Sequence, residues 1–324
     1  IQNNRSYGEA YYSLSNLKTY RFDDAEIEGM LELEKSQTLT PSNGAYLYFA
    51  LGKAFEDSKD FSSSFKHYSL GNNLKLPYTK YTSKDFINEC KNQIDVCTKD
   101  LFDSKKSWGA QSNEPIFILG LPRVGSTLVE QILASHSMVD ATNELPNILA
   151  TAHKLNLRRA QDSSSRYPDI LLSLSAPQLK LIGENYISDS EIFRSGSQYF
   201  IDKMPNNFRH IGLIKLILPN AKIIDIRRNS SAACFSCYKQ LFAEGQEFTY
   251  SQKRLALYYN NYVELMDHWN KVLPNQILSI TYEDLINNFE QTVCQILDYC
   301  ELPFEETCIE FYKNKRAVKT PSAQ

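Results

Sequence analysis

Two clusters of residues in this 324-residue chain could hold an anion. The first is Gly120-Leu-Pro-Arg123-Val124-Gly125-Ser126-Thr127, which ends the apolar run Pro115–Gly120 and opens the apolar segment Leu128–Ala134. Strand, glycine-bounded loop and helix in that order aim several backbone N–H groups, and the positive end of the helix, at one point. That arrangement suits a phosphate or a sulfate. A nucleoside-triphosphate loop, G-x-x-x-x-G-K-[ST], has lysine where this chain has Ser126. The cation here is Arg123, whose planar fork of donors matches a terminal oxyanion. The second cluster is Arg227-Arg228, at the end of the run Lys222–Ile226. Two arginines at a strand end would be costly if buried without counter-charge. At the carboxyl edge of a parallel sheet they would face the ligand crevice, so a second anion is a sensible partner.

The segment Pro115–His136 (PIFILGLPRVGSTLVEQILASH) resembles the donor signature of the sulfotransferases that use 3′-phosphoadenosine 5′-phosphosulfate (PAPS). It is most similar to their bacterial branch linked to tetratricopeptide (TPR) repeats, related to the tyrosylprotein sulfotransferases. The resemblance implies that Arg123, Val124, Gly125, Ser126 and Thr127 hold the 5′-phosphosulfate, with Val124 standing where the family has serine. It implies that Arg228 and, eight residues on, Ser236 bind the 3′-phosphate, Ser230 replacing the usual proline. Tyr282, in Tyr282-Glu283-Asp284-Leu285, would border the adenine, and Ser322 would contact the donor.

Sulfuryl transfer needs a base for the acceptor hydroxyl, a cation at the bridging oxygen and donors around the transferred group. The resemblance assigns Glu144, 21 residues after Arg123, as the base, and Lys203, in Asp202-Lys203-Met204-Pro205, as the cation. Arg123 joins them at the reacting group. Spacing alone does not place Glu144, because a helix after the loop would carry the chain to the far edge of the sheet. His136 is read as structural. No metal is required on this reading, and the product is adenosine 3′,5′-bisphosphate.

The elements that must position these residues are legible as short apolar runs alternating with helical stretches: 115–120, 198–201, 222–226 and 276–280. They indicate a parallel sheet with helical crossovers. The expected fold is α/β, a three-layer P-loop-like sulfotransferase domain over 111–324, preceded by an all-α region over 1–110. Within that region, about 40–80 resembles a TPR unit. Tyr48, Leu51, Gly52 and Phe55 would lie on its first helix, Ser64, Tyr68 and Gly71 on its second, and Pro77 would close it. Exposed repeat faces would suit a homodimer.

The net charge of −3 argues against a nucleic-acid partner, which usually leaves a strongly basic domain. No stretch is long and apolar enough for a membrane span. Seven scattered cysteines, with Cys234-x-x-Cys237 read as helix packing, fit reduced thiols and a cytoplasmic setting. The acceptor is a hydroxyl, with a peptide or protein tyrosine, a saccharide, a lipid and a small metabolite all open. Two other readings stand beside the transferase. A P-loop kinase or NTPase would recruit Asp225 for Mg²⁺, and a non-enzymatic scaffold would bind peptides through its repeats.

Overall fold

Capping residues and short polar turns divide the first part of the chain into four helices. They are α1 (Gly8–Ser15), α2 (Asp24–Ser36), α3 (Pro41–Asp57) and α4 (Phe61–Lys75). The computed structural model describes residues 8–17, 19–36, 39–142, 144–157, 166–242 and 245–314. Thr40 caps α3 by accepting from the Asn43 N–H, and Pro41 takes the first helical position, where its missing N–H costs nothing. Lys59, at φ 65°, turns the chain, and Asp60 then caps α4. The two helices pack closely where small residues permit it. A Cβ on Gly52 would come within 2.7 Å of the Tyr68 ring, and Ser64 Oγ donates to Gly52 O at 2.7 Å. The small positions expected from the repeat-like pattern therefore lie in a tight helix contact. Met30, Leu47, Ala50, Leu51 and Ala54 form the core of this region with Tyr11.

The described chain divides into two compact units. Of the described residues, one comprises 8–85 together with 234–258; the other comprises 86–233 and 259–314. Residues 86–110 therefore belong with the sheet. Their anchors include His268, whose ring Nε2 lies 2.9 Å from Cys97 O, and Gly109, where a Cβ would meet Ile217 O at 2.5 Å. Residues 234–258 join the helical unit by equally local contacts. Asn72 Nδ2 donates to Tyr238 O, and Lys239 pairs with Glu56 at 2.5 Å.

Among the described residues the sheet has five strands: β1 (Pro115–Gly120), β2 (Val139–Ala141), β3 (Tyr199–Lys203), β4 (Lys222–Arg227) and β5 (Leu278–Thr281). All neighbours are parallel, in the order β2-β3-β1-β4-β5. Ile116 to Leu119 on β1 and Ile223, Ile224 and Ile226 on β4 are fully buried, as expected of strands covered on both faces. The helices of this unit are α5 (Ser83–Val96), α6 (Lys99–Ser104), α7 (Ser126–Leu133), α8 (Asn147–Leu157), α9 (Ala176–Ser190) and α10 (Ile211–Ile217), followed by α11 (Ser230–Tyr238), α12 (Gln252–Val272), α13 (Tyr282–Asn287), α14 (Phe289–Tyr299) and α15 (Glu306–Ile309). The unit boundaries fall inside α5, α11 and α12. α7 packs on β1, β2 and β3, and α10 is buried all round, its one charged residue, Lys215, donating to the carbonyls of Pro219 and Ala221. Four strands coincide with the apolar runs of the sequence. The three-residue β2 does not, being too short to give a period.

Candidate active site

Every strand delivers a candidate residue at or just past its carboxyl end. Across the sheet the sequence of ends is Glu144 after β2, Lys203 at the end of β3, the 121–125 loop after β1, Arg228 after β4 and Tyr282 after β5. β1 sits where the strand order reverses, which is where open parallel sheets place their ligands.

The loop is shaped by its backbone. Gly125 has φ 105° and ψ 12° immediately before α7, and Arg123 is held at φ 68°. Non-glycine residues seldom adopt positive φ, and they concentrate at functional turns. Val124 is buried and anchors the loop from below, and Ser126 is buried at the first position of α7. Thr127 follows, half-buried, within the first turn, where helix N–H groups have no intrahelical acceptor. A Cβ on Gly125 would lie 2.6 Å from Cδ2 of Tyr282, so the tyrosine ring lies directly against the loop.

The two arginines after β4 differ in their duties. Arg227 turns back: its Nε donates to Asp225 Oδ2 at 2.7 Å and its guanidinium lies over the Tyr262 ring. Arg228 turns to the loop. Its Nη1 donates to Arg123 O at 3.3 Å, and its guanidinium lies 4.8 Å from the centre of the Tyr282 ring. Its Nε is buried with no hydrogen-bond partner among the described residues. A buried, charged donor left unpaired is costly, and an anion in the cradle would satisfy it. Beneath the arginines, Asp225 is fully buried. Burial pushes its carboxyl above the ordinary range, while Arg227, Tyr262 and Ser279 draw it back. Both of its oxygens are engaged, Oδ1 by the Tyr262 hydroxyl and Oδ2 by Arg227 and more distantly Ser279, at 3.5 Å. The carboxylate that a Mg²⁺-nucleotide reading would recruit is thus committed to a structural network.

On the other side of the loop, Lys203 and Glu144 form an ion pair. The lysine side chain is 3 % exposed and the glutamate 38 %. The strand missing from the sequence pattern explains how Glu144 arrives there. β2 runs parallel beside β3, and Thr142 continues its path, with Oγ1 donating to Ile201 O at 2.6 Å. The buried Leu145 then fixes the far side of Glu144. The chain thus returns to the carboxyl edge after α7.

Two neighbours, Asp202 and Tyr186, were not read from the sequence as part of the site. Asp202 is fully buried beside Lys203, its Oδ2 accepting from the Tyr186 hydroxyl at 2.7 Å. Asn207 is also fully buried and faces it. An acidic residue in a buried strand is the only signal the sequence offered for Asp202. His136 packs away from the site, its Nε2 2.9 Å from Pro303 O. Ser236 lies on α11, within the helical unit, and is 9 % exposed. Ser322 lies outside the described residues. Among the described residues no group of three or more His, Cys, Asp or Glu side chains is arranged to hold a metal ion.

The glycine-shaped loop, the arginine turned onto it and the carboxylate–lysine pair beside it thus line one edge of the parallel sheet. The chain belongs to the sulfotransferase family, whose sequence profile matches residues 115–306. It is 32 % identical over 311 residues to an uncharacterised protein of Aquifex aeolicus (strain VF5), and covers 41 % of that protein's length. Among solved structures it is similar to the sulfotransferase domain from the curacin biosynthetic pathway, at TM-score 0.47 and 19 % identity, covering 66 % of this chain and 83 % of that one. It is likewise similar to the sulfotransferase domain of the Synechococcus PCC 7002 olefin synthase, at TM-score 0.45 and 21 % identity, covering 63 % and 79 % of the two chains. No helix among the described residues is long and apolar enough to cross a membrane.

Proposed function

We propose that this chain transfers the sulfuryl group of PAPS to an acceptor hydroxyl. The observation that carries the reading is the unpaired, buried Nε of Arg228 beside the positive-φ loop, at the sheet edge to which Glu144 and Lys203 are also brought. The loop residues Arg123 to Thr127 hold the 5′-phosphosulfate through backbone N–H groups and the start of α7. Arg228 binds the 3′-phosphate, and Tyr282 borders the adenine. These contacts orient the donor for in-line displacement.

Glu144 takes the proton from the acceptor hydroxyl. Its exposure leaves room for an acceptor to approach, and its pairing with Lys203 holds it beside the group to be transferred. Lys203 moves its positive charge onto the leaving oxygen as the bond to sulfur breaks, and Arg123 stabilises the equatorial oxygens. These cations supply the charge that a metal ion supplies in phosphoryl transfer. The engagement of Asp225 by Arg227, Tyr262 and Ser279 supports this reading over a Mg²⁺-dependent kinase.

The acceptor we infer first is a phenolic hydroxyl in a peptide, from the resemblance to the tyrosylprotein branch. A TPR-type role for the α3–α4 pair in presenting such a peptide belongs to the same proposal. The test is incubation of the protein with ³⁵S-labelled PAPS and a tyrosine-containing peptide, with a saccharide and a simple phenol alongside, each with and without EDTA. Label transfer that survives EDTA is expected. No transfer to any acceptor, or transfer abolished by EDTA, would overturn the proposal.

A further inference from the structure

β4 and β5 end together and then part. Their pairing stops at Arg227 opposite Thr281, so Arg228 and Tyr282 leave the sheet from adjacent strands. Beyond that point β5 turns at once into α13. Thr281 caps the helix, its Oγ1 accepting from the Asp284 N–H at 3.0 Å. The main chain of β5 then no longer runs beside the continuation of β4, and a side chain takes over. Glu283 Oε1 accepts from the Asn229 N–H at 3.0 Å, one residue after Arg228. Asn229 in turn opens α11. Its Oδ1 accepts from the Ala232 N–H at 3.2 Å and its carbonyl from the Ala233 N–H at 2.8 Å. All of these residues lie in the sheet unit.

Arg228 is therefore a single residue between two fixtures, the last rung of the β4–β5 ladder and the clamped Asn229. Its own side-chain contacts are weak guides. Nη1 reaches the Arg123 carbonyl at 3.3 Å, past the usual range, and the Tyr282 ring supports the guanidinium from 4.8 Å. Nε, buried, has no hydrogen-bond partner among the described residues. The direction of the guanidinium thus depends on the backbone from which it springs. An acidic residue in the first turn of α13 is also favoured by the helix dipole, so the presence of Glu283 has two physical explanations. They separate on substitution by glutamine, which keeps the acceptor oxygen and loses the charge.

We propose that Glu283 is a positioning residue for Arg228, holding the turn between β4 and α11 through the Asn229 N–H so that the guanidinium faces the 121–125 loop. Its consequence for ligand selectivity rests on the function proposed above, in which Arg228 takes the 3′-phosphate. The clamp on Asn229 does not.

The test compares adenosine 3′,5′-bisphosphate with adenosine 5′-monophosphate, which lacks only the 3′-phosphate. Calorimetry gives both affinities for the wild type, Glu283→Ala, Glu283→Gln, Arg228→Ala and the double variant of Glu283→Ala with Arg228→Ala, and hydrogen exchange is followed at the Asn229 amide. The wild type should prefer the bisphosphate by about tenfold or more, the scale of a charged hydrogen bond. Glu283→Ala should quicken exchange at Asn229 by about tenfold, as expected when a local contact is released. It should leave a preference of about threefold or less, with most of that charged bond lost. Monophosphate affinity should stay within about twofold, because the shared contacts lie outside the turn. Glu283→Gln should stay within about twofold of the wild type in both affinities, since the acceptor remains. Without Arg228, Glu283→Ala should cost no further bisphosphate affinity, because the one residue acts through the other.

Unchanged exchange at Asn229 in Glu283→Ala would overturn the proposal. Equal losses of both nucleotides would do the same, since they mean general loosening. A glutamine variant as impaired as the alanine one would assign the effect to charge at the start of α13 and not to the clamp. An undiminished effect of Glu283→Ala in the absence of Arg228 would also contradict it. If the wild type binds the two nucleotides alike, the 3′-phosphate assignment falls instead. Exchange at Asn229 in the alanine and glutamine variants then still decides whether Glu283 clamps the turn.

Discussion

Replacing Gly125 by alanine places a methyl group where the structure leaves no room for one. At φ 105° an L-residue is strained, at a cost of roughly 1–2 kcal/mol. The new Cβ would lie 2.6 Å from Cδ2 of Tyr282, 3.3 Å from Cε2 and 3.4 Å from Cδ1 of Ile226. Tyr282 must therefore shift, and with it the ring beneath Arg228, a cation–π contact of about 0.5–1 kcal/mol at such a site. The loop relieves both strains by leaving the shape that, on the proposed function, cradles the anion. The loss should appear as roughly 1.5–3 kcal/mol in binding, about 10- to 150-fold in Kd for adenosine 3′,5′-bisphosphate. Isothermal titration calorimetry reads this directly. Gly196→Ala is the matched control. Its φ is 103°, yet a Cβ there meets nothing within 4 Å, and its loop is tied to Asp140 rather than to the site. That variant should lose stability and leave Kd within about twofold, since it touches no ligand contact. A Gly125→Ala protein that binds the bisphosphate as the wild type does would refute the reasoning, as would equal losses in both variants.

Further outcomes follow from the same site. Glu144→Gln should cut turnover by roughly a hundredfold or more, the scale of lost general acid–base catalysis, with bisphosphate affinity nearly intact. Near-normal turnover would remove Glu144 from its role. Arg228→Ala should weaken bisphosphate binding by roughly 1.5–3 kcal/mol, the value of a charged hydrogen bond, and an unchanged Kd would contradict the 3′-phosphate assignment. Asp202 also makes stability depend on pH. Its carboxyl has a pKa of about 7 when folded and an ordinary value of 3.8 when exposed. Below the lower value both states are protonated. Between the two the unfolded chain loses the proton and the folded protein keeps it, so stability falls as pH rises. The fall is at most about 4 kcal/mol, because each pH unit across that window removes about 1.4 kcal/mol. Urea denaturation from pH 4 to pH 8 should show the wild type losing ground to Asp202→Asn across this window. Parallel curves would show that Asp202 does not titrate there.

The sheet was legible because its central strands are continuous apolar runs. Ile116-Phe-Ile-Leu119 and Ile223-Ile224 could hardly be anything but buried strand, and the glycine-bounded loop after the first marks the carboxyl edge. The loop and Arg228 were legible for a related reason. Charge and glycine at a strand end are anomalous in a core and ordinary at a ligand site. Glu144 was legible only by resemblance, because the element that delivers it, β2, is three residues long and pairs with a strand about sixty residues away in sequence. No local period could announce it. The division of labour between Arg227 and Arg228 was likewise hidden, since it depends on Asp225 lying beneath one and the loop carbonyl facing the other. Asp202 looked like any polar residue at a strand end until its burial showed otherwise. The small residues Gly52 and Ser64 gave the close packing of α3 on α4 in advance, because tight helix contact leaves few alternatives to them.

The most direct test of the central claim is calorimetric titration of the purified chain with adenosine 3′,5′-bisphosphate, with ATP as the comparison and no added metal. The proposed function predicts tight binding of the bisphosphate and weak binding of ATP, because Ser126 stands where a triphosphate loop has lysine and the buried Nε of Arg228 would suit a second anion. Preference for ATP, or binding of neither, would contradict it.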